Sequence, residues 1–340
     1  MNRKLFICLT LVFFALLRVQ AQKNDTIYLR NGDRITGELK KFEYGLLNLS
    51  TDAMKTISIE FDEINSIHSA KYFEIRLKSG QKFFGHLKKA DVMSTVNLVT
   101  VTDTIPKRLW DIVLIIPIKS SFFQKIDGSI DLGLTYTKAS DVFQYSLNAQ
   151  ATYRTTYYST RFNLESILTD DGSKISRNNT VGLTVSHLLP NKWQTRISAQ
   201  VQQNTELNLD YRLQAGYGVG YDIARTNSVR FNVLSGLLVN QEKTLTTATT
   251  SENLEALFAA QVKWFKYRHP KVDITSGLEI YPSVTSFGRV RLEYDLSAKY
   301  ELIKDLYLNV QLYENFDNEP YPGGAAKNDW GIITSIGFTF

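Results

Sequence analysis

The side chains in this sequence that could act on an ion or a solute are charges set at even intervals within alternating segments. Arg161 and Glu165 stand four apart. Arg291, Glu293, Asp295 and Lys299 occupy every second or fourth position of one run. Arg196, Arg212, Asp222, Arg230, Lys263, Asp273 and Glu279 fall in the polar phase of their own segments in the same way. Successive side chains of a strand point to opposite faces, so even spacing gathers these charges on one face. Such a face has two chemical uses. Left open to water, it is a pore lining that discriminates by charge. Paired across the interior, it closes that interior. Both signs are present, which favours pairing and a mostly closed lumen.

Catalytic groups are sparse. A G-x-S-x-G elbow and an H-E-x-x-H helix are both absent. Of the four His, at 68, 86, 187 and 269, the first two have no acid or His partner at ligand spacing. The single Cys, Cys8, lies in an apolar N-terminal run, so a chain processed after it would hold no thiol, disulfide or Cys-ligated metal. Gly216-Tyr217-Gly218-Val219-Gly220 precedes no helix and reads as a mid-strand stretch of small inward residues, not a phosphate loop. The sequence therefore points to no cofactor and no metal. An outer-membrane lipid hydrolase would need a nucleophile and its partners on the outer rim. His187 and His269 fall at short turns on the opposite side.

The elements that must position the charges are strands. Leu209, Tyr211, Leu213, Ala215, Tyr217, Val219, Tyr221 and Ile223 hold one phase, against Asp210, Arg212, Gln214, three glycines and Asp222 in the other. Similar alternation predicts strands near 126–137, 142–154, 157–168, 179–187, 192–203, 209–223, 228–240, 253–266, 271–281, 288–302, 305–314 and 329–340. An even count is expected of a bacterial transmembrane β-barrel, and the longest connections, 169–178, 241–252 and 315–328, all fall on one side. In the apolar phase Tyr153, Tyr158, Trp193, Tyr221, Phe231, Trp264, Tyr300, Phe338 and Phe340 gather at the short-turn end. Tyr136, Phe143, Tyr211 and Trp330 gather at the other. Two aromatic belts at two interfaces are the expected pattern of a membrane wall.

The first residues form a different element. Arg3 and Lys4, the apolar stretch Leu5–Leu17 and Val19-Gln20-Ala21 read as a signal peptide, residues 1–21. Loss of Arg3, Lys4 and Arg18 with it lowers the formal net charge from +5 to +2, which weakens any case for nucleic acid as a partner. Residues 22–125 carry an internal repeat. A shift of 48 lays Leu29, Gly32, Gly37, Leu39, Lys40 and Lys41 on Leu77, Gly80, Gly85, Leu87, Lys88 and Lys89, and Ile57, Ile64 and Ile67 on Ile105, Ile112 and Ile115. Two small SH3-like or Sm-like barrels packed together would satisfy that repeat. The expected organisation is all-β: a duplicated β module in the periplasm at 22–125, followed by a 12-stranded antiparallel barrel at 126–340.

The run Leu29-Arg30-Asn31-Gly32-Asp33-Arg34-Ile35-Thr36-Gly37-Glu38, with Gly128-Ser129-Ile130-Asp131-Leu132-Gly133 opening the barrel, resembles the uncharacterised salt-induced outer membrane protein family of Gram-negative bacteria. The last ten residues, ending at Phe340, resemble the C-terminal strand signal read by the barrel assembly machinery. These resemblances imply an outer-membrane protein whose partners are outer-membrane lipid, the assembly machinery and a periplasmic ligand of the N-terminal module. They transfer no catalytic residue. Three functions are then open: a non-catalytic envelope or stress barrel with a charge-paired lumen, a narrow small-solute or ion channel, and the lipid hydrolase.

Overall fold

The structure, a computed structural model, describes residues 24–118, 122, 125–138, 141–205, 209–245, 250–319 and 327–338. The signal-peptide residues 1–21, the terminal Phe340 and part of the loop around Thr247 lie outside the described residues. The chain forms two compact units. One holds the described residues up to Ile75 together with Phe83–Pro117, and the other holds Arg76–Lys82 and Ile118 onward.

The first unit realises the 48-residue repeat. β1 (Asp25–Leu29), β2 (Arg34–Glu43), β3 (Leu46–Ser50), β4 (Thr56–Glu60) and a 3-10 turn at Phe61–Glu63 lead into β5 (Ile64–Leu77). β6 (Lys82–Lys89), β7 (Thr95–Val99), β8 (Thr104–Arg108), a 3-10 turn at Leu109–Asp111 and β9 (Ile112–Pro117) repeat that order. Both hairpins turn on a glycine with positive φ, Gly32 at 94° and Gly80 at 91°, a conformation glycine adopts without steric cost. The residues before the two 3-10 turns also match: Glu60 has φ −66° and ψ 139°, and Arg108 has φ −68° and ψ 135°. Core positions repeat as well. Ile27, Leu39, Ile64 and Ile67 are fully buried, and so are Ile75, Leu87, Ile112 and Ile115, each 48 residues on.

Two features of this unit differ from the expectation. The offset slips to 49 in the third strands, where Leu47 and Leu49 match Val96 and Leu98, and returns to 48 at β8. The connection at 51–55 is one residue longer than that at 100–103, which absorbs the slip. The repeats are also joined through shared strands. They share one nine-stranded sheet in the order β4-β3-β2-β1-β5-β6-β7-β8, and β9 pairs both β2 and β5, so strands of the two repeats are hydrogen-bonded to one another. β5 is long enough to end one repeat and begin the next, so the backbone itself joins the sheets.

The second unit carries twelve strands: β10 (Ile126–Thr137), β11 (Val142–Arg154), β12 (Tyr158–Asp170), β13 (Ile175–Leu188), β14 (Trp193–Asn204), β15 (Leu209–Arg225), β16 (Val229–Thr244), β17 (Thr250–Lys266), β18 (Val272–Pro282), β19 (Val290–Ile303), β20 (Leu306–Asp317) and β21 (Asn328–Phe338). Each pairs antiparallel with its sequence neighbours, giving one sheet ordered β10 to β21. All twelve expected strands are present. Among the described residues no register joins β10 to β21, and Ile130, Leu132 and Leu134 of β10 are more than 70% exposed. The structure thus shows the twelve-stranded wall of the expected barrel without a hydrogen-bonded seam.

Strands overrun their expected ends where the longer connections were placed. β12 reaches Asp170, β13 begins at Ile175, β16 reaches Thr244, β17 begins at Thr250 and β20 reaches Asp317. Hydropathy alternation stops before backbone pairing does. Beyond the expected ends a polar cross-strand contact accompanies the ladder: Gln241 Nε2 donates to Glu252 Oε1 (2.8 Å).

Candidate functional site

The two faces of the twelve-stranded wall have opposite chemistry. On the outer face of β17, residues from Trp264 to Leu254 are apolar, and Glu252 ends the run. Ten residues at ~3.4 Å each, tilted ~40°, rise roughly 26 Å, close to the ~25 Å apolar band of outer-membrane walls. Aromatics frame this face. Trp193 and Tyr221 are register partners with ring centroids 4.9 Å apart. Tyr158 stacks on its partner His187 at 4.6 Å, and Tyr153 meets Phe122 at 5.0 Å. Tyr158, Trp193, Trp264, Tyr300 and Phe338 are exposed at the short-turn end, and Tyr136, Phe143 and Trp330 at the other, while Tyr211 there is half-buried.

By register, the thirteen charges singled out in the sequence share one face of the wall, opposite the apolar one: Arg161 pairs with Thr152 and Thr184, Glu165 with Asn148 and Thr180, Arg196 with Ser186 and Gly218. Arg230 pairs with Lys263, Asp273 with Lys299, Glu279 with Glu293, and Gly277 with Asp295. The glycines of β15 serve close packing. A Cβ on Gly216 would come within 2.9 Å of the Leu238 Cδ1, and one on Gly218 within 3.1 Å of the Leu234 Cδ2. Both leucines are buried inside, so the small residues make room for them instead of leaving open space.

The charges are unevenly spread in height, with both signs at each end. Arg161, Arg196, Arg230, Lys263 and Lys299 stand near the short turns. Glu165, Glu279, Glu293 and Asp295 stand towards the longer connections, with Arg212 and Arg291 among them. Asp222 and Asp273 are acids at the basic end, held by Arg225 (2.5 Å) and Lys263 (3.6 Å).

The longer-connection half contains a polar cluster built on buried Arg291 and Glu255. Arg291 donates through Nε to Glu255 Oε1 (3.1 Å) and through Nη2 to Glu255 Oε2 (2.7 Å). Its guanidinium lies 4.7 Å from the Tyr281 ring centroid and 3.5 Å from Glu293. The Tyr281 hydroxyl donates to Glu279. On the neighbouring strands Arg212 Nε donates to Glu242 (2.7 Å), which also accepts from Asn240 Nδ2 (2.7 Å). Glu293 is within Coulombic reach of Arg212 and Glu255, which links the two groups. Arg289 makes a bidentate pair with Asp317, 2.6 and 3.1 Å. Bidentate guanidinium–carboxylate pairs are among the stronger polar contacts a protein makes.

Sequence reasoning missed Glu242, Glu255 and Asp317, the partners of Arg212, Arg291 and Arg289. Glu255 was legible: it stands eight residues, an even number, from Lys263 and so shares its face. Glu242 and Asp317 lay beyond the expected strand ends. The histidines have structural partners. His269 Nδ1 is 2.9 Å from buried Glu301, and His86 Nδ1 donates to the Lys71 carbonyl (3.1 Å).

A meander of twelve antiparallel strands with an apolar outer face, two aromatic belts and a charged inner face defines a wall of the outer-membrane barrel type. The chain belongs to the family described as "Protein of unknown function, DUF481", whose model matches residues 130–340. No curated protein matches the sequence. Among solved structures, the NanC porin in a rhombohedral crystal form is 12% identical at a TM-score of 0.36, over 62% of this chain and 100% of its own. A porin refined at 1.8 Å resolution is 9% identical at a TM-score of 0.34, over 79% of this chain and 98% of its own.

Proposed function

We propose that this chain is a non-catalytic outer-membrane barrel of a Gram-negative envelope, with residues 22–125 in the periplasm and a lumen held shut by ion pairs over its longer-connection half. The observation that carries this reading is the set Arg291–Glu255, Arg212–Glu242 and Tyr281–Glu279, in which Arg291, Glu255, Glu242 and Tyr281 are buried. Charged groups committed to one another in this way are structural struts. The resemblance to salt-induced outer membrane proteins supports a role in envelope stress, and each repeat of the first unit, five strand segments with a 3-10 turn before the last, is read as SH3-like.

β10 and β21 close on one another in this reading, because hydrocarbon offers no partner to an open strand edge. Outer-membrane lipid then covers the apolar face, and the assembly machinery is the partner of the strand ending at Phe340. Refolded protein should shift its electrophoretic mobility on heating and show little conductance in a planar bilayer. Disruption of the Arg291–Glu255 pair should raise that conductance. A parent protein with large steady conductance would overturn the closed reading in favour of a narrow channel. One observation favours that second reading: an open volume remains on the inner face at the short-turn end.

A further inference from the structure

We propose that this volume is a binding site for a small hydroxylated anion. The proposal rests on the barrel reading and names what its unfilled half takes up. The cavity measures about 510 Å³ and is lined by Lys263, Asp273, Lys299, Asn309, Gln311 and Ser335 among others. That is far above the ~30 Å³ share of one water and within the ~300–1,000 Å³ range of small-molecule sites.

The lining specifies the chemistry. Two ammonium groups supply charged donors for carboxylate or phosphate oxygens. Asn309 and Gln311 offer amide donors and acceptors, and Ser335 a hydroxyl, all suited to ligand hydroxyls. Lys263 is engaged by Asp273 at 3.6 Å. Among the described residues Lys299 has no carboxylate within ion-pair distance, and its ammonium rests 4.2 Å from the Tyr307 ring centroid. On the adjoining β16, Arg230 is the direct register partner of Lys263 and adds to the positive charge. The lumen acids Glu242 and Glu255 are at the opposite end and already bound by arginines. With two lysines against the one carboxylate of Asp273, the lining carries a net positive charge, which favours an anion over a cation.

Titration calorimetry on the full chain refolded in detergent tests this, with sodium glucuronate, glucose and inorganic phosphate as probes. Folding is checked for every sample by heat-shifted mobility. Glucuronate should bind and glucose should not. Lys299→Gln and Lys263→Gln should each weaken binding roughly tenfold, the loss expected of one charge-assisted contact, and the double variant should abolish it. Lys304→Gln, in an exposed turn, should bind as the parent does. Equal binding of glucose and glucuronate, or parental affinity in the double variant, would overturn the site. Phosphate binding as tightly as glucuronate would overturn the hydroxylated class in favour of a bare oxyanion. A folded, heat-shifting protein that binds none of the three refutes the site alone, whereas loss of the heat shift in the parent refutes the barrel reading beneath it.

Discussion

Removal of one partner from the Arg291–Glu255 pair should be far more costly than removal of both. Glu255 is 0% exposed and Arg291 8% exposed, and they share two hydrogen bonds of 2.7 and 3.1 Å. Arg291→Met leaves a carboxylate buried without its cation, a situation that typically costs ~3–5 kcal/mol. Glu255→Gln should cost less, roughly 1–3 kcal/mol, because Arg291 keeps Glu293 at 3.5 Å and the Tyr281 ring. The double variant Arg291→Met/Glu255→Leu strands no charge and should cost less than Arg291→Met alone, since apolar replacement of a buried pair is often near neutral. The two substitutions should therefore be strongly non-additive. Urea unfolding in lipid vesicles, followed by tryptophan fluorescence, measures all three against the parent. Single variants within ~1 kcal/mol of the parent, with a double equal to their sum, would show that the pair is solvated and the closed-lumen reasoning wrong.

Leu213 faces outward in the mid-wall and should tolerate a cation badly: Leu213→Arg is expected to cost roughly 2–4 kcal/mol in the same assay. Its neighbour Arg212 faces inward, and Arg212→Leu should cost less, about 1–3 kcal/mol, since Glu242 retains Asn240 as a donor. In the first unit, a Cβ at Gly85 would lie 2.2 Å from the Val99 carbonyl oxygen. Gly85→Ala should therefore separate β6 from β7, read as faster amide exchange in Thr95–Val99 of the full chain. Gly37→Ala, whose nearest contacts are 2.8 Å away, should do less to the matching strands. In the 171–174 turn, the Ser173 hydroxyl and then the Lys174 and Ser173 amides hold the Asp171 carboxyl below the ordinary aspartate range. A lowered folded value means that the contribution is intact above the ordinary range and lost as pH falls through the lowered one. Protection of the Ser173 and Lys174 amides should thus persist from neutral pH into the ordinary aspartate range and vanish below it. Asp171→Asn should show the loss already at neutral pH.

The sequence by itself determined the number of strands in the second unit, the face each side chain takes and the heights of the aromatics. These depend on the two-residue period of a strand, which is local and survives without any knowledge of neighbours. The 48-residue repeat was legible for the same reason: Gly32 and Gly80 answer to a backbone angle, and Leu39 and Leu87 to burial, within their own copies. Tertiary structure alone decided which charges meet. Arg291 is 36 residues from Glu255 and Arg212 is 30 from Glu242; the first pair meets across the intervening β18 and the second through the register of β15 on β16, which no single segment encodes. It decided, too, that the repeats share one sheet through β5 and that strands continue past their apolar stretch. Backbone groups pair whether the side chains above them are leucine or asparagine, so hydropathy marks where the wall is apolar and hydrogen bonding marks where the strand ends.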